Sequence, residues 1–169
     1  MKLQSYVMGA WVSGVGEGRP VVDAVRGEPV CSVDATGIDM VQVADYGRRV
    51  GGAALRAMTF HERAAALKET TKQLMAMKEQ FYELSFKTGT TRADAWPDIE
   101  GGFGTALSYA SLVTREFPND LVLIEGEMEA LSKNGSFVGR HILTSKPGVA
   151  VHINAYNFPV WGMLEKIAP

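Results

Sequence analysis

The stretch from Gly148 to Ile167 constrains the fold more than any other part of the chain. Gly148-Val149-Ala150-Val151-His152-Ile153 is a mostly apolar run of the kind used by strands with both faces buried. It leads through Asn154-Ala155-Tyr156-Asn157-Phe158 to Pro159, after which Val160, Met163, Leu164 and Ile167 recur at helical spacing. Proline suits the first helical position, where the missing N–H has no intrahelical acceptor and φ is already set. A strand buried on both faces needs helices to cover it, so this segment predicts an α/β domain.

Upstream, the helical text is plain. Thr59-Phe60-His61-Glu62 is a T-x-x-E capping box, in which hydroxyl and carboxylate satisfy exposed backbone donors reciprocally. Phe60, Ala64, Leu67, Leu74, Met77, Phe81 and Leu84 then form one stripe, predicting a single long helix with that stripe in the core and Gly89 as its terminator. A second long helix is expected from about Asp94 to Phe117, carried by Ile99, Phe103, Ala106, Ala110, Val113 and Phe117. Pro97 belongs in its first turn, which places the start near Asp94. Gly101, Gly102 and Gly104 each cost a helix up to about 1 kcal/mol relative to alanine, and so predict another element packed very closely there. A shorter helix over Ile38, Val41 and Val43 should stop at Gly51-Gly52.

From Ser5 to Val33 short apolar pieces alternate with glycine-containing turns, the pattern of strands or hairpins. Gly14, Gly16 and Gly18 do not follow the dinucleotide spacing, and Val21-Val22 follows where a helix would have to open, so they read as a turn. Strands are expected again at Leu121–Ile124, Phe137-Val138 and His141–Thr144.

Composition narrows the function classes. The 169 residues suit one domain at most; 17 Lys plus Arg against 19 Asp plus Glu give a net charge of −2, and 46% are hydrophobic. That balance offers no electrostatic footprint for nucleic acid or anionic lipid, and the chain is too apolar to be disordered. No apolar run reaches the roughly 18 residues of a membrane span. A single cysteine, Cys31, forms no internal disulfide and no cysteine-based zinc site, which together with the absence of a leader pattern predicts a cytoplasmic protein without a structural metal. His61, His141 and His152 lack metal-ligand spacing, and His152 reads as a hydrogen-bonded structural residue. Asp98 and Glu100, two apart on a helix, read as surface or inter-subunit contacts, and Trp11, Trp96 and Trp161 as packing anchors.

The residue with chemistry is Asn157, placed by this reading at the carboxyl end of a sheet strand, where open α/β sheets bind ligands. Two roles fit it. A neutral amide donates to a developing oxyanion without titrating, and the same amide can cap the helix that follows.

Gly148 to Pro159, GVAVHINAYNFP, with the helix after it, resembles the N-F-P segment of the aldehyde dehydrogenase superfamily. The opening strand Met1–Trp11, the lead into the Glu62-Arg63-Ala64-Ala65 helix, Thr88–Arg92 and Asp98–Gly102 resemble its subgroup acting on CoA-thioester semialdehydes, above all the bifunctional enzymes of phenylacetate degradation. The likeness runs along essentially the whole chain. It implies an N-terminal portion of an aldehyde dehydrogenase domain, spanning 1–169: β-hairpin elements that contribute to oligomer contacts, helices, and the first strand of a Rossmann-like cofactor sheet.

By that resemblance Asn157 supplies its amide to the oxyanion hole, and Ile153, Asn154, Ala155 and Tyr156 line the cleft for NADP or NAD. Ala155-Tyr156 stand where many relatives have Pro-Trp, in keeping with the subgroup. The nucleophilic cysteine and basic glutamate of the family fall beyond Pro169, so these residues alone are expected to be inactive. Cys31 does not match the nucleophile position. The implied activity of the whole enzyme is oxidation of a CoA-linked semialdehyde to the acid in phenylacetate catabolism, by a homo-oligomer fused to a ring-opening enoyl-CoA-hydratase-type domain. The alternatives are a semialdehyde dehydrogenase of benzoyl-CoA oxidation, or a non-enzymatic module binding a nucleotide or a partner.

Overall fold

A computed structural model describes residues 1–169. It opens with two antiparallel hairpins, β1 (Ser5–Val7) with β2 (Ala10–Val12) and β3 (Arg19–Val22) with β4 (Pro29–Val33). Across the first, the rings of Tyr6 and Trp11 lie 5.1 Å apart. In the turn of the second, Asp23 accepts the backbone N–H groups of Val25 and Arg26 at 2.8 and 3.0 Å. The glycine-rich link between the hairpins is a turn, as expected, and its polarity is opposite to that of a phosphate loop. The carbonyls of Gly14 and Gly16 accept from the Lys2 ammonium, which also pairs with Asp34 at 2.8 Å. The loop needs glycine, because a Cβ at Gly14 would stand 2.5 Å from the Asp34 carboxylate.

Helix α1 (Met40–Tyr46) is capped by Asp39, whose carboxylate accepts from Val41 and Gln42. Gly51-Gly52 does not end this helix as expected. The chain widens into one π-helical turn, Gly47–Gly51, and runs on as α2 (Gly52–Ala57). Both glycines keep right-handed helical angles, so their flexibility weakens the helix without breaking it.

The capping box forms: Glu62 N–H donates to Thr59 Oγ1 at 3.2 Å and the Glu62 carboxylate accepts from Thr59 N–H at 2.7 Å. The single long helix predicted after it is instead two, α3 (Phe60–Ala76) and α4 (Lys78–Phe86), separated at Met77. The break reorients the apolar stripe. Tyr82 is buried and Phe81 meets Phe103 edge-on, with ring centres 6.0 Å apart, whereas Met77 and Leu84, expected in the core, are exposed.

Helix α5 (Arg92–Glu116) starts two residues earlier than predicted, capped by Thr91, so Pro97 is the sixth helical residue rather than a first-turn one. Proline there deprives the Ala93 carbonyl of its intrahelical donor, and Ala93 is exposed, so water can serve it. Ala95, Ile99, Phe103, Ala106 and Ala110 are buried as the spacing predicts. Trp96, read as a packing anchor, is 58% exposed, and Trp11 is also exposed.

The hairpin of β5 (Val122–Ala130) and β6 (Val138–Thr144) follows, with a register shift between Glu125 and Glu129. The strand predicted over Gly148–Ile153 is not formed. Residues 145–158 carry no helix or strand, with Val151 and Ile153 almost wholly exposed. A strand exists only through hydrogen bonds to a neighbour, and none of the six strands, which form three two-stranded sheets, pairs with this segment. His152, read as a structural residue of that strand, is therefore exposed.

Helix α6 (Pro159–Ile167) has proline at its first position, as read, and buries Val160 and Leu164. These two join Tyr82, Ala95, Ile99, Phe103 and Ala106 in one cluster, so the core is a helical one built around α5. The glycine prediction holds at two of its three positions. A Cβ at Gly102 would lie 2.9 Å from the Trp161 Cα, and one at Gly101 would meet the Trp161 ring at 3.2 Å, while Gly104 has nothing near it. No helix is long and apolar enough to cross a membrane.

Candidate active-site cleft

The close seam between α5 and α6 sets the geometry of the cleft. Because Gly102 lets the two backbones touch, the first turn of α6 lies against the second turn of α5, where Asp98 projects. Asp98 is only 6% exposed. Its carboxylate accepts the backbone N–H of Val160 at 3.1 Å and of Trp161 at 2.8 Å, with its second oxygen 3.4 Å from the Val160 nitrogen. Helix N-termini leave such donors without intrahelical partners and favour negative charge, so a buried carboxylate is stabilised there. The reading of Asp98 as a surface residue is thus overturned, and so is the helix-capping role weighed for Asn157: a residue 62 positions upstream caps α6. Glu100, on the other side of α5, pairs with Lys78 at 2.8 Å and is half-buried.

Beside this cap lies a cleft of about 310 Å3. Phe81, Leu84 and Ser85 of α4 form one wall, and Thr88, Thr90 and Asp94 its rim. Asp98, Tyr156, Asn157, Pro159, Val160 and Met163 close the other side. The mixture of apolar walls and a few converging polar groups is typical of small-molecule sites. Asn157 is exposed at this cleft.

Of the other predicted site residues, Tyr156 shares the cleft and is 91% exposed. Ile153, Asn154 and Ala155 lie in the exposed segment leading to it and do not line it. Cys31 sits opposite Val21 in the N-terminal hairpin and is not among the cleft's residues.

Outside the cleft lining, ion pairs tie the start of α4 to α5. Arg92 holds Glu79 through two bonds of 2.8 Å and stacks on the Tyr82 ring at 4.0 Å. The Arg92 hydrogen bond holds the Glu79 carboxyl below its usual range, the Glu100 hydrogen bond raises Lys78, and burial raises the Tyr82 phenol. No three His, Cys, Asp or Glu side chains converge as metal ligands. His61 Nε2 is 2.9 Å from the Phe117 carbonyl, a contact that fixes the end of α5.

The residue that sequence reasoning missed is Asp98. A faint signal was present: Pro159 opens a helix whose preceding residue, Phe158, has no polar atom to cap it, so the cap has to come from elsewhere.

The family model for the aldehyde dehydrogenase family matches residues 11–169, nearly the entire chain. The chain belongs to the aldehyde dehydrogenase family. It is also similar to the 3,4-dehydroadipyl-CoA semialdehyde dehydrogenase of Aromatoleum evansii, 42% identical over 170 residues that cover 100% of this chain and 33% of that protein. The chain thus spans about a third of the length of that aldehyde dehydrogenase relative. The resemblance read from GVAVHINAYNFP and from Asp98–Gly102 is borne out at the level of family and of neighbourhood among CoA-semialdehyde dehydrogenases. In aldehyde dehydrogenase terms, the cleft brings the N-F-P asparagine to the junction of α4, α5 and α6.

Proposed function

We propose that Asn157 donates its side-chain amide to the oxyanion that develops when a CoA-linked semialdehyde is attacked in this cleft, in an aldehyde oxidation carried out by the whole protein. The observation that carries this reading is the division of labour at α6. Asp98 takes the helix N–H groups, so Asn157 is not needed as a cap and its amide borders a cleft of about 310 Å3. A neutral amide keeps its donors at every working pH, and a fixed donor costs no reorganisation as charge develops. Phe81, Leu84 and Met163 supply apolar surface for a carbon chain, and Thr88 and Thr90 supply hydroxyl oxygens at the rim for a thioester or amide further along it. The attacking cysteine of the family's chemistry is not Cys31, which lies in the N-terminal hairpin.

Family membership makes NAD or NADP the expected hydride acceptor. The segment before Asn157 fits such a group in one respect: Ile153 is 86% exposed and residues 149–156 are outside any helix or strand, leaving apolar side chains and backbone polar groups free for a ribose or nicotinamide. A nicotinamide cofactor bound there would supply the hydride acceptor for the oxidation. Ile153, Asn154, Ala155 and Tyr156 are the residues of this chain proposed to border it, with NADP the preferred form by analogy.

Within the substrate class, a semialdehyde of phenylacetate catabolism, acted on by a cytoplasmic homo-oligomer that also carries a ring-opening hydratase-type domain, rests on the resemblance of Thr88–Arg92 and Asp98–Gly102. A second reading, an unsaturated six-carbon CoA semialdehyde, is favoured by the substrate in the relative's name.

The test is Asn157→Ala in the whole protein, measured by aldehyde-dependent cofactor reduction. Loss of one oxyanion donor is expected to lower kcat by about 10²–10³-fold with little change in KM. An unchanged kcat would remove Asn157 from the chemistry.

A further inference from the structure

We infer that Asp98 is a positioning residue for Asn157: its buried carboxylate fixes the place from which the Asn157 amide meets the cleft. The inference rests on the oxyanion reading above. Asp98 projects from α5 and is bound to peptide N–H groups of α6 rather than to a cation. Two constraints one helical turn apart on α5 therefore locate α6. Gly102 sets how close the helices come, and Asp98 sets how α6 is rotated and how far it slides.

The constraint reaches Asn157 over a short path. Only Phe158 and Pro159 separate it from Val160, whose N–H Asp98 accepts. Pro159 has a ring-locked φ, and the Phe158 carbonyl is held by Gly162 N–H at 2.9 Å. Residues 149–156 on the other side carry no helix or strand that could hold Asn157 instead. Asp98 and Asn157 border the same cleft, so a shift of the first α6 turn is a shift of the proposed donor relative to the α4 wall. Misplacement of a catalytic group by about 1 Å can cost on the order of 10²-fold in rate.

The experiment is a double-mutant cycle on kcat in the whole protein, with Asp98→Asn, Asn157→Ala and the two together. In Asp98→Asn the amide oxygen can still accept from Val160 and Trp161, but the charge that strengthens both bonds is gone and the new NH2 group stands where the second oxygen lay 3.4 Å from the Val160 nitrogen, so the hold on the α6 turn is weakened without leaving a cavity. The expected result is a kcat about tenfold or more below wild type with KM within about twofold, and a double variant no slower than Asn157→Ala alone. Faster amide hydrogen exchange at Val160 and Trp161 should accompany it. If the two losses multiply, Asp98 does not act through Asn157 and the inference is overturned. If Asp98→Asn keeps wild-type kcat while Asn157→Ala is slow, the inference fails and the oxyanion reading stands. If Asn157→Ala is itself as fast as wild type, both fall. Asp98→Glu, which keeps acceptor and charge but reaches one methylene further and so displaces the α6 turn, takes the place of Asp98→Asn should that variant not fold.

Discussion

Replacing Gly102 with alanine tests the seam on which the cleft depends. The added Cβ would lie 2.9 Å from the Cα of Trp161, 3.0 Å from its nitrogen and 3.2 Å from the Val160 carbonyl carbon. All three are backbone atoms, so no side-chain rotation relieves the contact. Carbon atoms rest about 3.5–4.0 Å apart, so α6 has to withdraw by about 0.6 Å or more. Withdrawal stretches the 2.8 Å bond from Trp161 N–H to Asp98 to the edge of hydrogen-bonding range. Overpacking costs about 1–3 kcal/mol, a weakened charged hydrogen bond adds about 1 kcal/mol, and alanine returns up to about 1 kcal/mol of helix propensity. The net expectation is a destabilisation of about 1–3 kcal/mol.

Gly104→Ala is the matched control, because nothing lies within 4 Å of its Cβ and only the propensity gain applies. Urea unfolding of the two variants should give midpoints displaced in opposite directions at unchanged m, with stabilities differing by about 2–4 kcal/mol. Equal stabilisation of both would show that α5 and α6 do not approach at Gly102, and the account of the cap would lose its steric half.

Two further outcomes are expected. Lys2, and after it the Thr36 amide, hold the Asp34 carboxyl far below the usual carboxylate range. The stability from this pair is therefore full above the ordinary value of about 4 and is lost as pH falls below it, so an acid titration should be steeper for wild type than for Asp34→Asn; parallel curves would contradict the assignment. Thr59→Ala should cost about 1 kcal/mol of stability in denaturant unfolding, and less when Glu62 is already alanine, because the two side chains form one reciprocal cap.

What could be read from the sequence was what is decided locally. The Thr59–Glu62 cap, the proline opening α6 and the glycine-marked hairpins depend on residues within a few positions of one another, and all form. The close approach at Gly102 was also legible, because glycine inside a helix has a cost that only packing explains. The break at Met77 was not, since the apolar spacing continues through it and only the fit of Phe81 and Tyr82 against α5 decides it. The run Gly148–Ile153 has the texture of a buried strand, yet texture cannot supply the neighbour a strand needs. At the site, the motif singles out Asn157, which lies at the cleft, whereas the Asp98 cap joins residues with no shared local pattern.

That cap also closes a long loop. From Asp98 the chain finishes α5, makes the β5–β6 hairpin and comes back to the capping contact at Val160, 62 residues later. The entropy of closing such an excursion grows only logarithmically, about 0.6 kcal/mol for each doubling of its length. The strands β5 and β6 pair only with each other, and their tip at Asn134-Gly135 is exposed. Hairpin length is thus nearly uncoupled from cleft geometry: descendants of this sequence can gain or shed residues at that tip, reshaping whatever the hairpin touches, while the asparagine remains where a single carboxylate put it.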